Sequence, residues 1–228
     1  MKLYRLKYFL AIFFLLLSIT ITNAQWKELG GTKASTFNHS IRRITTDVKG
    51  NVFVVGDFKN GIGKYYVAKW NGTAWSELGG TNISSFNGTI NCITTDAKGN
   101  VYAAGMFCKG DWPYGNYFVA IWNGKEWSQL GGNNDSTFNY NIYSITTDAA
   151  GSVYAGGMFN NSNNKCFIAK WNGSKWIKLI GINDGTFNSP ILSITIDKHG
   201  NIYTCGNFTN DSDWKNTNFY VAKYSESR

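Results

Sequence analysis

A segment of about 50 residues occurs four times in this chain of 228 residues, and such a period limits the fold to repeat architectures. The aspartates at equivalent positions, 47, 96, 148 and 197, are separated by 49, 52 and 49 residues. A second block, Val67–Gly79, follows the first and returns at 119–131 and 168–181. One unit of this size cannot bury its apolar face alone, so neighbouring copies must pack against one another.

Each copy contains four short strand-like runs, called a to d, which in the first copy are Ile41–Thr46, Val52–Gly56, Tyr65–Trp70 and Trp75–Leu78. The Asn71-Gly72 pair between runs c and d is a strong hairpin signal. Four antiparallel strands per repeat match a propeller blade, whereas a stacked β-solenoid would need shorter coils and atypical end repeats. The sequence therefore predicts an all-β fold, a β-propeller of four four-stranded blades.

The two ends of the repeat array are out of phase. An isolated run d, Trp26–Leu29, precedes the first run a, and the last run c, Phe219–Tyr224, has no run d after it. We therefore predict that the N-terminal strand joins the last blade and closes the ring, which favours a monomer. An eight-bladed ring made by two chains is the alternative.

Residues 1–24 have the three parts of a secretory signal peptide. These are a basic start, the apolar run Phe9–Ile19, and small residues before a cleavage site after Ala24. A retained membrane anchor is the alternative, although the apolar run is shorter than the ~20 residues that a spanning helix needs. Residues 25–228 are then predicted to form a single propeller domain with no membrane span.

The charge of the mature chain says little about its partner. Removing the signal peptide lowers the net charge from +8 to +5, which is mildly basic and offers weak electrostatic steering. We expect the mature chain to be secreted, either extracellular or, in a bacterium, periplasmic. Export argues against nucleic acid, so the expected partner is an extracellular protein or a glycan.

Two segments of the repeat, Ile44–Phe58 and Ala68–Gly80, resemble the repeats of secreted bacterial propellers. They are similar to those of the galactose-oxidase/Kelch-like superfamily and of fungal cortical-marker surface proteins. The resemblance covers residues 25–228 and implies extracellular or cell-surface binding. It does not imply the copper chemistry of galactose oxidase, which needs histidine ligands and a Tyr–Cys cofactor, because the chain has only His39 and His199. We expect no cofactor and no metal site.

In an antiparallel blade, successive connections between strands lie alternately on two opposite faces. The a–b and c–d turns share one face, here the turn face, and their sequences are nearly constant. The other face, here the loop face, carries the Thr/Ser-Phe-Asn segments between runs d and a, and the variable b–c loops Lys59–Lys64, Cys108–Asn116, Asn160–Lys165 and Thr209–Asn218. Binding commonly resides on loops held by a rigid scaffold, so the loop face is the predicted site.

Two tryptophans outside the repeat pattern, Trp112 and Trp214, fall in lengthened b–c loops. Asp111 and Tyr114 lie near the first, and Asp213 precedes the second. Exposed aromatics beside polar groups suit stacking on sugar rings or a protein-binding hot spot, so these five residues are candidate ligand contacts. The alternative is that each tryptophan covers its own loop.

The four copies differ in sequence at the start of run a, where the residue pairs are Arg42-Arg43, Asn91-Cys92, Tyr143-Ser144 and Leu192-Ser193. Varied residues on a strand that lines the channel predict a tailored pocket, with Arg42, Arg43 and Tyr143 as candidate contacts. The alternative is that these residues differ through simple sequence drift. The phenylalanines of the Thr/Ser-Phe-Asn segments are predicted to plug the channel mouth; they are residues 37, 86, 138 and 187.

The residues that do repeat are predicted to be structural. The four turn aspartates should bond their own backbone. The glycines that end run b, at 56, 105, 157 and 206, should permit close packing of the blades. Seven tryptophans, at 26, 70, 75, 122, 127, 171 and 176, should belong to the core of the blades.

Catalytic signals are weak. His39 and His199 are predicted on opposite faces, and the motifs of serine hydrolases, phosphate-binding loops and zinc enzymes are absent. The sequence thus favours a binding or scaffold protein that is not an enzyme. The alternatives are a purely structural surface protein or a glycoside-active enzyme that uses the loop-face carboxylates Asp111, Asp135, Asp184 and Asp213.

Four cysteines in an exported chain suggest disulfides. Cys108 and Cys166 flank the b–c loops of neighbouring copies and are the predicted pair. Cys92 and Cys205 lie in strands and are predicted to be small buried apolar residues.

Overall fold

The protein is described by a computed structural model at residues 25–31, 37–80, 86–111, 113–132, 137–179, 186–210 and 218–225. These residues form antiparallel sheets and no helix, which confirms the all-β prediction. Within these ranges no helix could cross a membrane. The predicted signal peptide lies outside the described residues.

The strands are short and follow the repeat; they are β1 (Ile41–Thr46), β2 (Val52–Gly56), β3 (Ala68–Trp70), β4 (Trp75–Glu77), β5 (Ile90–Thr95), β6 (Val101–Gly105), β7 (Cys108–Lys109), β8 (Asn116–Tyr117), β9 (Ala120–Trp122), β10 (Trp127–Gln129), β11 (Ile142–Thr147), β12 (Val153–Gly157), β13 (Cys166–Phe167), β14 (Ala169–Trp171), β15 (Trp176–Lys178), β16 (Thr186–Phe187), β17 (Ile191–Ile196), β18 (Ile202–Gly206) and β19 (Ala222–Tyr224).

The predicted runs a to d become consecutive strands of one sheet in each repeat. Three sheets have four strands, in the orders β1-β2-β3-β4, β5-β6-β9-β10 and β11-β12-β14-β15. The fourth sheet has three described strands, β17-β18-β19. The pairs β7-β8 and β13-β16 are two-stranded ladders that involve the b–c loops.

The turn between strands a and b is built around the repeated aspartate. Asp47 accepts hydrogen bonds at 2.9 Å from the backbone N–H groups of Lys49 and Asn51, and at 2.6 Å from the Asn51 side chain. Equivalent bonds reach Asp197 from His199 and Asn201. The predicted turn role of the aspartates is confirmed, since their carboxylates satisfy the backbone of the turn.

The main packing occurs between strands a of neighbouring sheets. Strand β5 packs against β1, β11 against β5, and β17 against β11. The leading isoleucines of the last three, Ile90, Ile142 and Ile191, are completely buried. Full burial of such a side chain is worth about 1.5–3 kcal/mol. Successive antiparallel sheets that pack in this way are arranged as the blades of a propeller.

The predicted closure of the ring within one chain is not observed. Ile41 and Ile44 on β1 are 50% and 67% exposed, although their counterparts in the other repeats are buried. The N-terminal run Trp26–Leu29 forms no strand and makes no described ladder with β19. Trp26 is fully exposed, so it does not belong to the core as predicted. The described repeats therefore form an open array.

The glycine that ends strand b serves its own sheet rather than the contact between blades. A Cβ atom on Gly56 would clash with the Ser40 carbonyl, which precedes strand a of the same repeat. That carbonyl accepts the N–H of Asp57 at 2.9 Å, beside a bulge in strand a. The packing role predicted for these glycines is corrected accordingly, because the close approach is made at the bulge.

The turn aspartates should make the fold sensitive to acid. Partial burial opposes the ionisation of Asp96, but the bonds from Asn100 and Tyr102 outweigh it and lower the pKa of Asp96. The Asn201 side chain is the main cause that lowers the pKa of Asp197 to about 2. Because the unfolded value is about 3.9, this stabilisation is complete above that pH and is lost as the pH falls through the folded pKa.

We predict that Asp96→Asn lowers the free energy of unfolding at neutral pH by about 2 kcal/mol, since it removes a charged acceptor. It should also flatten the loss of stability in acid. Urea unfolding measured from neutral pH down to about pH 2 reports both effects. The matched control is Asp111→Asn in a b–c loop, which should change neither. An acid profile of Asp96→Asn identical to that of the wild type would contradict the assignment.

Candidate functional site

The phenylalanines of the Thr/Ser-Phe-Asn segments pack into the sheets and do not plug the channel mouth, so that prediction is corrected. Phe138 is buried with its ring centroid 4.7 Å from that of Phe159 and 4.9 Å from that of Trp176. All three residues belong to one repeat. The phenylalanine pair recurs in the other repeats, where Phe58, Phe107 and Phe208 take the place of Phe159. The tryptophan contact recurs in the first and second repeats.

The asparagine of each Thr/Ser-Phe-Asn segment holds a b–c loop. Asn87 donates to the Cys108 carbonyl at 2.9 Å and accepts from the Cys108 N–H at 3.0 Å. Asn139 makes the same two bonds with Asn160. The d–a segments and b–c loops therefore meet on one face, as strand parity predicts. The repeated asparagine was visible in the sequence, but its contact with a residue 21 positions later was not anticipated.

A groove of about 220 Å³ lies on the loop face between the first and second repeats. Its lining consists of Lys59, Gly63, Lys64, Tyr65, Asn87, Gly88, Thr89 and Met106, with no carboxylate among them. The Lys59 Nζ atom lies 4.8 Å from the centre of the Tyr65 ring. The groove is therefore cationic, and one wall of it is aromatic. This groove was not predicted from the sequence, although the two lysines of the first b–c loop indicate positive charge there.

Arg42 is linked to this groove through Asp57, a carboxylate of its own repeat. Its Nε atom donates to both oxygens of Asp57, at 2.9 and 3.0 Å. Thr89, which lines the groove, donates to the same carboxylate at 2.9 Å. Burial opposes the ionisation of Asp57, but the bonds from Arg42 and Thr89 outweigh it and lower its pKa. The carboxylate thus fixes the rim of the groove and holds Arg42 in place.

His39, Ser40 and Asp57 lie together but do not have the geometry of a catalytic triad. The Nδ1 atom of His39 is 3.1 Å from the Ser40 hydroxyl and 3.8 Å from Asp57. A triad needs the serine on one ring nitrogen and the carboxylate on the other. Here both approach the same nitrogen. His199 lies in an a–b turn, on the opposite face, as predicted.

The other candidates at the start of strand a lie apart from the groove. The Tyr143 hydroxyl is 3.7 Å from the Met158 sulfur, on β11, which is separated from β1 by β5. Arg43 donates to the Arg42 carbonyl at 2.9 Å. The structure thus links Arg42 to the groove through Asp57 and Thr89, whereas Tyr143 lies on the third sheet.

The lengthened b–c loop of the second repeat exposes Tyr114, whose side chain is 92% accessible. A turn from the Asp111 carbonyl to the Tyr114 N–H, at 2.8 Å, and a bond from the Tyr117 hydroxyl to Pro113 shape this loop. Trp112, Asp135, Asp184, Asp213 and Trp214 lie outside the described residues. No cluster of potential metal ligands occurs in the described part of the chain.

The predicted disulfide is not formed, since Cys108 and Cys166 are both free thiols. Cys108 begins the second b–c loop, where Asn87 holds it, whereas Cys166 follows the third b–c loop and pairs with Phe187 on β16. Cys92 is buried as predicted, and this burial raises its pKa to about 12. Cys205 is exposed, which corrects its prediction as a buried residue.

No protein-family model matches the chain, and no curated protein matches it. Among solved structures it is similar to the extracellular domain of BT3049 from B. thetaiotaomicron (TM-score 0.48, 15% identity, 80% of this chain and 22% of that chain). Others are virginiamycin B lyase from Staphylococcus aureus (0.48, 14%, 72% and 48%) and PorZ, a surface component of the type-IX secretion system of Porphyromonas gingivalis (0.46, 15%, 81% and 27%). The chain spans less than half the length of each.

We predict that Asn139→Ala loosens one b–c loop without unfolding its sheet. Loss of both bonds to Asn160 should speed amide exchange across residues 160–166 by about tenfold. Hydrogen–deuterium exchange with peptide-level mass spectrometry measures this effect. Asn163→Ala, at the exposed tip of the same loop, is the matched control and should leave exchange unchanged. Equal exchange in the two variants would show that the asparagine does not hold the loop.

Proposed function

We propose that this protein is a secreted, non-enzymatic binding propeller that recognises an extracellular glycan carrying acidic groups. The observation that carries the proposal is the cationic groove between the first and second repeats. Lys59 and Lys64 provide the positive charge, and Tyr65 provides an aromatic wall. Charged donors bind carboxylate or sulfate oxygens more strongly than neutral donors do, so acidic sugars suit this lining.

The size of the groove sets the kind of ligand. At about 220 Å³ it is smaller than typical pockets for whole small molecules, which are about 300–1,000 Å³. It therefore holds one ring or one acidic substituent of a longer chain. Such a chain would continue across the loop face. This favours a polymeric glycan over an isolated metabolite.

Exposed aromatics extend the proposed site along the loop face. Tyr114 stands free on the second b–c loop, where a sugar ring can stack against it. Trp112 and Trp214 are proposed to act in the same way, from the same loop and from the fourth. Arg42 adds a cation at the rim, held in place by Asp57. The proposal thus combines charge in the groove with stacking beyond it.

The proposal places the mature chain outside the cytoplasm, as the basic and apolar segment of residues 1–24 predicts. The glycoside-active alternative requires two carboxylates at a separation of about 5–9 Å. Asp111 is the described member of the four candidates. Turnover of bound oligosaccharides, measured at acid and neutral pH, distinguishes this alternative from simple binding.

We predict that the mature chain binds uronic-acid or sulfated oligosaccharides on a glycan array and binds neutral ones weakly. Replacement of Lys59 and Lys64 together by alanine should lower the affinity by at least about tenfold, because two charged contacts are lost. Isothermal titration with one array-positive oligosaccharide measures this change.

The matched control is the Lys49→Ala/Lys98→Ala double variant, which removes the same charge from the a–b turns. It should bind like the wild type, and both double variants should melt at the wild-type temperature. Equal loss of affinity in the two would contradict a site in the groove. Binding of neutral glycans alone, or of a protein ligand and no glycan, would contradict the proposed ligand class.

A further inference from the structure

The first and fourth sheets each leave an apolar face open in the described structure. On the first sheet, Ile41 and Ile44 of β1 are exposed to solvent. On the fourth sheet, Val221 is 69% exposed, and Cys205 of β18 is exposed as well. The inner repeats bury both kinds of position. Each end of the array therefore presents a surface that elsewhere contacts a neighbouring sheet.

The internal interfaces show which surfaces these open faces would bind. Between the first and second sheets, Val55 and Val67 belong to the same buried cluster as Ile90 and Ile93. Both valines and Ile90 have no solvent exposure at all. One side of the interface thus comes from strand b and the residues before strand c. The other side comes from strand a of the next sheet.

Alignment of the repeats shows that the two open faces correspond to the two sides of an internal interface. Cys205 and Val221 are the counterparts of Val55 and Val67, since each occupies the same place in the repeat motif. Ile41 and Ile44 are likewise the counterparts of Ile90 and Ile93. The fourth sheet therefore presents the valine side of the internal interface. The first sheet presents the isoleucine side.

Polar contacts repeat along the same array. The Thr95 hydroxyl donates to the Thr46 carbonyl at 2.8 Å, and the Thr147 hydroxyl donates to the Thr95 carbonyl at 3.0 Å. Each bond runs from one sheet to the preceding one. The hydroxyl of Thr46 is the next donor in this series, and the counterpart of its acceptor is the Ile196 carbonyl of a fourth sheet.

The N-terminal segment already occupies the position of a strand d from a preceding sheet. Trp127 Nε1 in the second sheet donates to the carbonyl of Leu78, at the end of the preceding strand d, at 3.2 Å. Trp75 Nε1 donates to the Leu29 carbonyl at 3.3 Å in the same way. Trp26–Leu29 therefore lies where strand d of a preceding sheet would lie, although it forms no strand here. The described structure has no strands a, b and c of such a preceding sheet.

We propose that two copies of this chain associate head to tail, the fourth sheet of one copy packing on the first sheet of the other. In this arrangement Trp26–Leu29 of one copy adds to β19 of the other as its fourth strand. The pairing of Lys69 with Ser76 in the first sheet places Lys27 opposite Lys223 of the second copy. Two such contacts close a ring of eight sheets, which lies within the range of about 4–8 blades known for propellers.

A second copy would cover the open face at each end of the array. In the described structure Leu29 contacts the first sheet, while Trp26 is exposed and makes no ladder with β19 of its own chain. A copy of the same chain brings the matching faces to both ends, because this contact is heterologous.

Light scattering during gel filtration of the mature chain tests the association. The expected mass is that of two chains, and Ile44→Glu should return it to one chain because the open face becomes charged. Ile62→Glu is the matched control, since Ile62 is also exposed but lies in a b–c loop; it should keep the two-chain mass. Far-ultraviolet circular dichroism should be the same for all three proteins.

Disulfide trapping identifies which chain supplies the strand. In a Cys205→Val background, which has the side chain of its counterpart Val55, chains carrying Lys27→Cys are mixed with chains carrying Lys223→Cys under mild oxidation. A two-chain product in the mixture, absent from either variant alone, is expected because cross-strand Cβ atoms lie close enough to bridge. The double variant on one chain, diluted and oxidised, should give the same intermolecular product.

A one-chain mass at all concentrations would overturn the proposal. So would an intramolecular disulfide in the double variant with no product in the mixture, since this would show closure within one chain. Species that grow in mass with concentration would overturn the closed pair in favour of an open fibre. None of these results bears on binding by the groove, which the lysine variants test separately.

Discussion

The structure depends on the contact between strand a of one sheet and the apolar face that strand b and the residues before strand c form on the preceding sheet. Ile90, Ile142 and Ile191 are fully buried only because a preceding sheet covers them. The same side chain is half exposed at Ile41, where the described structure has no preceding sheet. Each repeat therefore owes much of its apolar burial to its neighbour, as expected for repeats that contact only adjacent units.

Because contacts between the strands hold the sheets together, the residues of the loop face can vary in sequence. Below the loops, the buried phenylalanines and the asparagine clamps repeat with little change, as in Phe138 and Asn139. The clamps fix where each b–c loop starts but do not constrain the residues beyond that point. The loops can therefore differ in length and charge while their anchors stay constant. The first has two lysines in a groove, and the second presents Tyr114.

Most of the fold could be predicted from the sequence, because strand order and turn chemistry are local. Asp47 and Gly50 specify the a–b turn within five residues, and the four strands of each repeat follow from runs between such turns. Contacts between residues that are far apart in the sequence were harder to predict. The bond between Asn87 and Cys108 joins two loops, and the role of Phe138 depends on Trp176. Neither pairing leaves a periodic pattern that strand parity can detect.

The candidate site was predicted to the correct face but not to the correct residues. Varied residues at the start of strand a drew attention to Arg42, which proves to be bound to Asp57 at the rim. The groove itself combines the first b–c loop with Thr89 and Met106 of the next repeat. Composition gave no hint of it, because the net charge of the whole chain is spread over both faces.

Hydrogen–deuterium exchange of the mature chain, with and without a bound uronic-acid oligosaccharide, tests the proposed binding surface most directly. Slower exchange is expected in residues 59–65 and 86–89, and unchanged exchange in the a–b turns at 47–51 and 96–100. These segments lie on opposite faces of the same two sheets, so the turns serve as an internal control. Protection of the turns, or no protection of the groove residues, would show that the oligosaccharide does not bind in the groove.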